Sequence, residues 1–110
     1  MIGSQDNLNA QLRKGVLQYC VLQSLKQGAS YGLEIAKTLT DAGMISNEGT
    51  IYPLLSRLRS SGLVLTEWVE SDEGPPRRYY RLSAKGETAL ADFRSAWKEF
   101  QANVNAVLGE

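Results

Sequence analysis

Apolar residues recur at helical spacing over the first sixty positions, alternate briefly, then return to helical spacing to the end of the chain. Leu8 to Gln27 predicts a helix ended by Gly28, a suitable C-terminal cap. It carries two stripes. Leu17, Cys20, Val21 and Leu25 form one; Leu12, Val16 and Tyr19 form the other. One stripe covers a core within the domain. The second either meets a partner chain or is buried in the same domain, and both arrangements fit the pattern. Ser30 is a good N-cap for a helix from Tyr31 to about Ala42, with Leu33, Ile35, Ala36 and Leu39 as its apolar face. Gly43 ends it, and Met44 to Asn47 reads as a short turn. Ser46 or Asn47 then caps a third helix running to about Ser61, which buries Ile51, Leu54, Leu55 and Leu58. Pro53 is early enough in that helix to be tolerated, and Gly62 stops it.

Leu63 to Glu70 is rich in Val, Leu, Thr and Trp and predicts a strand, with Leu63 and Leu65 inward and Trp68 breaking the alternation. Ser71 to Pro76 predicts a turn, with Gly74-Pro75-Pro76 as a stiff tip. Arg77 to Leu82 is the return strand, with Tyr80 and Leu82 on one face. Ser83 caps a last helix that continues to about Leu108, roughly 39 Å long. Leu90, Phe93, Trp97, Phe100, Val104 and Val107 are spaced as a coiled-coil seam rather than as the wider stripe of a helix lying on a globular core.

Length and composition narrow the picture. With 110 residues the chain is one structural unit. Residues 1–82 form its main body and residues 83–110 an added helix suited to dimerisation. The 12 Lys+Arg balance the 12 Asp+Glu, so whole-chain charge favours no class of partner. Its distribution is more informative. Arg77, Arg78, Arg81 and Lys85 stand together without an acid, whereas Glu87, Asp92, Glu99 and Glu110 outnumber Arg94 and Lys98 in the tail. A single cysteine, Cys20, forbids an intrachain disulfide and fits the cytoplasm. No membrane-spanning run is present, and Met1 to Asn9 lacks a signal-peptide pattern.

The absence of histidine removes Ser/His and Cys/His nucleophile pairs, and with one cysteine it removes Cys/His zinc sites. There is no phosphate-cradling glycine loop. Glu67, Glu70, Asp72 and Glu73 read as solvated hairpin charges. No catalytic residue, metal ligand or cofactor is expected.

The third helix carries the first positive signal. Opposite its buried stripe it shows Asn47, Glu48, Thr50, Tyr52, Pro53, Ser56 and Arg57. A helix that reads DNA uses its N-terminal residues. Asn pairs with adenine, Thr touches thymine or donates to bases, and Glu accepts from cytosine. Gly49 permits close backbone approach where free N–H groups favour a phosphate. Arg77 and Arg78 are adjacent on a strand and therefore point to opposite faces. One suits a narrow minor groove, its neighbour a phosphate. Lys85 opposes the dipole at the start of the last helix, which a phosphate contact would explain. A capped helix followed by a basic hairpin is the outline of a winged helix-turn-helix DNA reader, a mainly α, α+β fold. It comprises a three-helix bundle, a two-stranded β-wing and a long C-terminal dimerisation helix. A second reading also fits: a winged-helix module whose arginines bind an acidic protein.

Trp97 lies mid-seam between Phe93 and Phe100. Its bulk pushes paired helices apart, so flat aromatic molecules would stack between two copies, with Leu12, Val16 and Tyr19 as the other wall. A plain aromatic dimer core without a ligand fits the same residues.

The segments Glu48 to Leu58 (EGTIYPLLSRL), Gly62 to Val64, Gly74 to Leu82 (GPPRRYYRL) and Ser83 to Gly86 (SAKG) closely resemble the PadR-like transcriptional regulators. Ser30 to Ile35 (SYGLEI) resembles that family's motif at the start of its second helix. The resemblance spans about Gly28 to Gly86. It implies a homodimeric repressor that binds double-stranded DNA at an inverted-repeat operator. It implies DNA contacts from Tyr31, Ser46, Asn47, Glu48, Gly49, Thr50, Tyr52, Pro53, Arg57, Arg77, Arg78 and Lys85. A short chain with one C-terminal helix is similar to the small subfamily, which dimerises by packing the last helix on the partner's first. Some members of that subfamily sense lipophilic drugs beside a tryptophan in the position of Trp97. The implied effector residues are Leu12, Val16, Tyr19, Phe93, Trp97, Phe100 and Gln101. Gln101 stands where an acid would favour cationic drugs, leaving Asp92 and Glu99 as charge partners.

Overall fold

The computed structural model describes residues 2–110, with side chains described from residue 7 onward. The elements run α1 (Ile2–Arg13), α2 (Leu17–Ser24), β1 (Ser30–Tyr31), α3 (Gly32–Asp41), a 3₁₀ turn (Glu48–Thr50), α4 (Ile51–Ser60), β2 (Val64–Ser71), β3 (Gly74–Leu82) and α5 (Ala84–Leu108). Three antiparallel strands lie in the order β1-β3-β2. This is a winged helix-turn-helix fold.

The first expected helix is two helices. Gly15, at φ +85°, turns the chain between α1 and α2. Glycine adopts that left-handed conformation without a steric cost. α1 packs only lightly on the rest of the molecule, so Leu12 is exposed. α2 supplies Val21, Leu22 and Leu25 to the core. Leu22, absent from both expected stripes, is fully buried.

Ser30 does not cap α3. It pairs with Tyr80 as part of β1, and Tyr31 is the capping residue in extended conformation. The Tyr31 N–H donates to Glu34 Oε1 at 3.2 Å, which satisfies one otherwise open donor at the helix start. Leu33 is exposed, and only Ile35, Ala36 and Leu39 of the expected face are buried. Ile51, Leu54, Leu55 and Leu58 of α4 are buried as the spacing predicts. Gly62, at φ +76°, closes α4.

In the hairpin the inward residue is Val64, not Leu65. Val64, Thr66 and Trp68 share a face and sit opposite Leu82, Tyr80 and Arg78. Trp68 therefore keeps the alternation. It is exposed because the hairpin has by then run past the core. The turn is also tighter than expected, since Ser71 pairs with Gly74. Pro75 and Pro76 belong to β3, where Val69 pairs with Arg77 and the two prolines face the single residue Glu70. That is a bulge, a place where a missing N–H breaks no ladder bond.

Ser83 fastens α5 to the body. Its Oγ accepts from Gly86 N at 2.9 Å and donates to the Gly62 carbonyl at 2.6 Å. α5 then runs 25 residues to a left-handed Gly109. Of its seam, Leu90 is buried, Phe93 half-buried, and Trp97, Phe100, Val104 and Val107 are exposed.

Candidate nucleic-acid interface and aromatic groove

The chain entering α4 is shaped by Asn47. Its Oδ1 accepts from Gly49 N at 2.8 Å and so caps the 3₁₀ turn. A Cβ on Gly49 would stand 3.2 Å from that oxygen, so glycine leaves room for the cap. The Gly49 N–H is committed to Asn47, and Asn47 keeps its amide nitrogen as a donor. Ser46, Asn47, Glu48, Gly49, Thr50, Tyr52, Pro53 and Arg57 are all exposed. Pro53 falls in the first turn of α4, where its missing N–H costs little.

Tyr52 leans on the start of α3. A Cβ on Gly32 would lie 2.7 Å from Tyr52 Cε1. The neighbouring Tyr31 ring meets Tyr79 edge-on at 5.4 Å. The Arg77 guanidinium lies over the Tyr31 ring at 4.5 Å. A chain of contacts thus runs from Tyr52 over the buried Gly32 to its neighbour Tyr31 and on to Arg77, joining α4 to the wing. Arg78 goes to the opposite face of the sheet, where it lies over Trp68 at 4.7 Å. Its Nε is buried and makes no hydrogen bond. Each arginine is braced by an aromatic face. Lys85 is held elsewhere, because its Nζ donates to the Ser61 carbonyl at 2.8 Å. There it closes the negative C-terminal end of α4.

The second group of expected residues forms a ladder of rings. Tyr19 stacks on Phe93 at 4.2 Å with planes 6° apart. Phe93 and Trp97 follow at 6.0 Å, then Trp97 and Phe100 at 6.4 Å. A groove of about 740 Å³ between α2, α3 and α5 opens on Tyr19, Phe93 and Trp97. A smaller one of about 510 Å³ lies on the other side of Phe93 and Trp97 and takes in Val16 and Phe100. Leu12 and Gln101 line neither. The larger groove recruits residues that periodicity did not single out for it: Cys20, Leu39, Met44, Arg94 and Lys98. Arg94 bonds across it to Gln23 Oε1. Met44 follows a glycine turn, and no pattern in the sequence marks it. Burial pushes the Cys20 thiol above its usual range.

A helical core, a capped outward helix and an arginine-bearing hairpin beside it define a winged helix-turn-helix protein. The PadR-like family of transcriptional regulators matches residues 21–92. The chain belongs to that family. It is 29% identical over 94 residues to a transcriptional regulator of Mycobacterium tuberculosis, covering 86% of this chain and 87% of that protein. Among solved structures it is similar to a PadR-like transcription factor from Bacteroides fragilis, with 44% identity and a TM-score of 0.76 over 92% of this chain and 98% of that one. A PadR family regulator from Eggerthella lenta superposes with a TM-score of 0.83 at 32% identity, covering 98% of this chain and 97% of that one. No helix among the described residues is long and apolar enough to cross a membrane.

Proposed function

We propose that the chain is a homodimeric repressor that binds an inverted-repeat operator in duplex DNA and is released by a small aromatic or lipophilic molecule. The observation that carries the DNA reading is the exposed outer face at the start of α4, Asn47 to Thr50 with Tyr52 and Pro53, tied to the wing by the contacts of Tyr52 with Gly32 and of Arg77 with Tyr31. α4 enters a major groove, with Asn47, Thr50 and Tyr52 at the base edges. Arg77 and Arg78 hold the flanking backbone and minor groove.

The exposed seam supports the dimer. Phe100, Val107 and Leu108 are 60%, 87% and 67% exposed, and with Trp97 and Val104 they give α5 a run of exposed apolar side chains that a second copy would cover. Leu12 of α1 is the complementary apolar residue in a segment with little packing of its own. The effector reading rests on the groove beside Phe93 and Trp97. Arg94 and Lys98 line the larger groove without an acid, which favours neutral or anionic aromatics there, whereas Glu99 and Lys14 both line the smaller one. The close stack of Tyr19 on Phe93 favours a second reading of this part, in which the ladder is only a packed dimer core.

The test is binding of the purified chain to a duplex from upstream of its own gene, followed by fluorescence anisotropy, with mass measured in solution. A dimer that binds this duplex more tightly than an unrelated one is expected. A monomer, or a chain indifferent to duplex DNA, overturns the reading. Planar aromatic compounds are expected to quench tryptophan emission in the wild type and not in Trp97→Ala. If no compound does so, the effector is removed and the DNA reading remains.

A further inference from the structure

A separate cleft lies between the elbow at Gly15 and the outer face of α4. It has a volume of about 370 Å³. Arg13, Lys14 and Gln18 line it from the elbow, Thr50, Pro53 and Arg57 from α4. Among the described residues three cations and no acid reach it. The concentration is local, since the chain as a whole carries no net charge.

The elbow's geometry accounts for the arrangement. Lys14 N donates to the Gln11 carbonyl and Val16 N to the Arg13 carbonyl, while Gly15 adopts φ +85°. α1 ends and α2 starts within three residues, so Arg13 and Lys14 are delivered to the gap beside α4. No ion pair among the described residues engages Arg13, Lys14 or Arg57. Unneutralised cations gathered beside a threonine hydroxyl suit a phosphate. Arginine supplies a planar fork for its oxygens and lysine a compact point charge.

We propose that the Arg13-Lys14 elbow and Arg57 clamp the phosphodiester backbone of duplex DNA at the edge of the groove that α4 enters. The proposal rests on the DNA reading above, because Thr50 and Arg57 belong to both the cleft and the reading face. A helix seated in a major groove has a phosphate strand along each side. The wing arginines address one flank, and the elbow addresses another. The clamp contributes affinity without sequence preference.

Anisotropy titrations from 50 to 200 mM potassium chloride test it, on the duplex from upstream of the gene and on an unrelated duplex. In the Arg13→Ala/Lys14→Ala variant the slope of log affinity against log salt is expected to become shallower by roughly 1.8 on both duplexes, about 0.9 for each phosphate contact. Arg13→Lys/Lys14→Arg keeps both charges and is expected to retain the slope. Thermal melting checks folding, and Lys14→Gln, at an exposed position, is expected to lose about half of the effect if the double variant unfolds. An unchanged slope in the alanine variant, with Arg77→Ala still weakening binding, overturns the clamp and leaves the DNA reading intact. Loss of salt-dependent binding in the wild type overturns both. Saturable binding of inorganic pyrophosphate, abolished in the alanine variant without change in the DNA slope, makes the cleft a small-anion site and overturns the clamp.

Discussion

Gly32 and Tyr52 compete for one space, since a Cβ on Gly32 would stand 2.7 Å from the Tyr52 ring. Tyr52 is 48% exposed, so its ring has room to swing outward. Gly32→Ala also gains helix propensity, up to about 1 kcal/mol. The two effects nearly offset in stability. The urea midpoint of Gly32→Ala is therefore expected to stay within about 1 kcal/mol of wild type. Affinity for the specific duplex is expected to fall several-fold as the displaced ring alters the reading face. Equal affinity would remove Tyr52 from that face.

Gly86 behaves differently. A Cβ there would overlap the Leu63 carbonyl oxygen and come within 3.1 Å of Leu82 Cδ2. That carbonyl cannot retreat freely, because it accepts from Ser83 N at 3.2 Å. Gly86→Ala is expected to destabilise the protein by about 2 kcal/mol or more, beyond any gain in helix propensity. Equilibrium urea denaturation at fixed protein concentration measures this.

The braced wing arginines make separable predictions. Arg77→Ala is expected to lower the salt slope of DNA binding by about 0.9. Arg78→Ala is expected to do the same and to change the emission of Trp68, whose ring loses the cation above it. A Trp97→Phe background isolates that signal. Emission unchanged in Arg78→Ala would mean that the pair does not persist in solution.

The Cys20 thiol gives a pH readout. Burial holds it protonated to higher pH than a free thiol, because the thiolate loses solvation. At pH 8 its reaction with a disulfide reagent is expected to be slower than that of glutathione. The rate is expected to keep climbing above the pH at which glutathione levels off. A compound seated beside Tyr19 and Phe93 shares the groove with Cys20 and is expected to slow the reaction further.

Much of the fold was legible because its signals are local. Ile51, Leu54, Leu55 and Leu58 repeat at helical spacing, and the structure buries all four. Ser83 is an N-cap followed by a long seam, and α5 starts and ends where those residues place it. The misreadings fall where a tertiary partner decides. Ser30 is a better cap than Tyr31 by residue type, but pairing with Tyr80 draws it into the sheet. Leu65 and Val64 are equally apolar, and only the register against Arg81 and Leu82 tells which faces inward. Gly15 sits in a stretch that is otherwise helical, and a left-handed glycine there cannot be told from a tolerated one.

The exposed face of α4 was legible for the same reason, since it is the complement of a buried stripe. Its bracing was not. The contacts Gly32 with Tyr52, Tyr31 with Arg77 and Trp68 with Arg78 each join separate elements. Lys85 shows the same limit. Its position opposing a helix dipole suggested a phosphate, and nothing in the sequence signalled its bond to the Ser61 carbonyl at the end of α4.

That junction makes the tail a lever. Ser83 and Lys85 grip the carbonyls of Gly62 and Ser61, so the rod they begin is hinged directly on the last turn of α4. At 25 residues the rod is roughly 37 Å long. A tilt of ~5° at its anchored end displaces its tip by ~3 Å, for a rod of that length. Any displacement at the free tip is thereby geared down into a small rotation where the rod meets the last turn of α4.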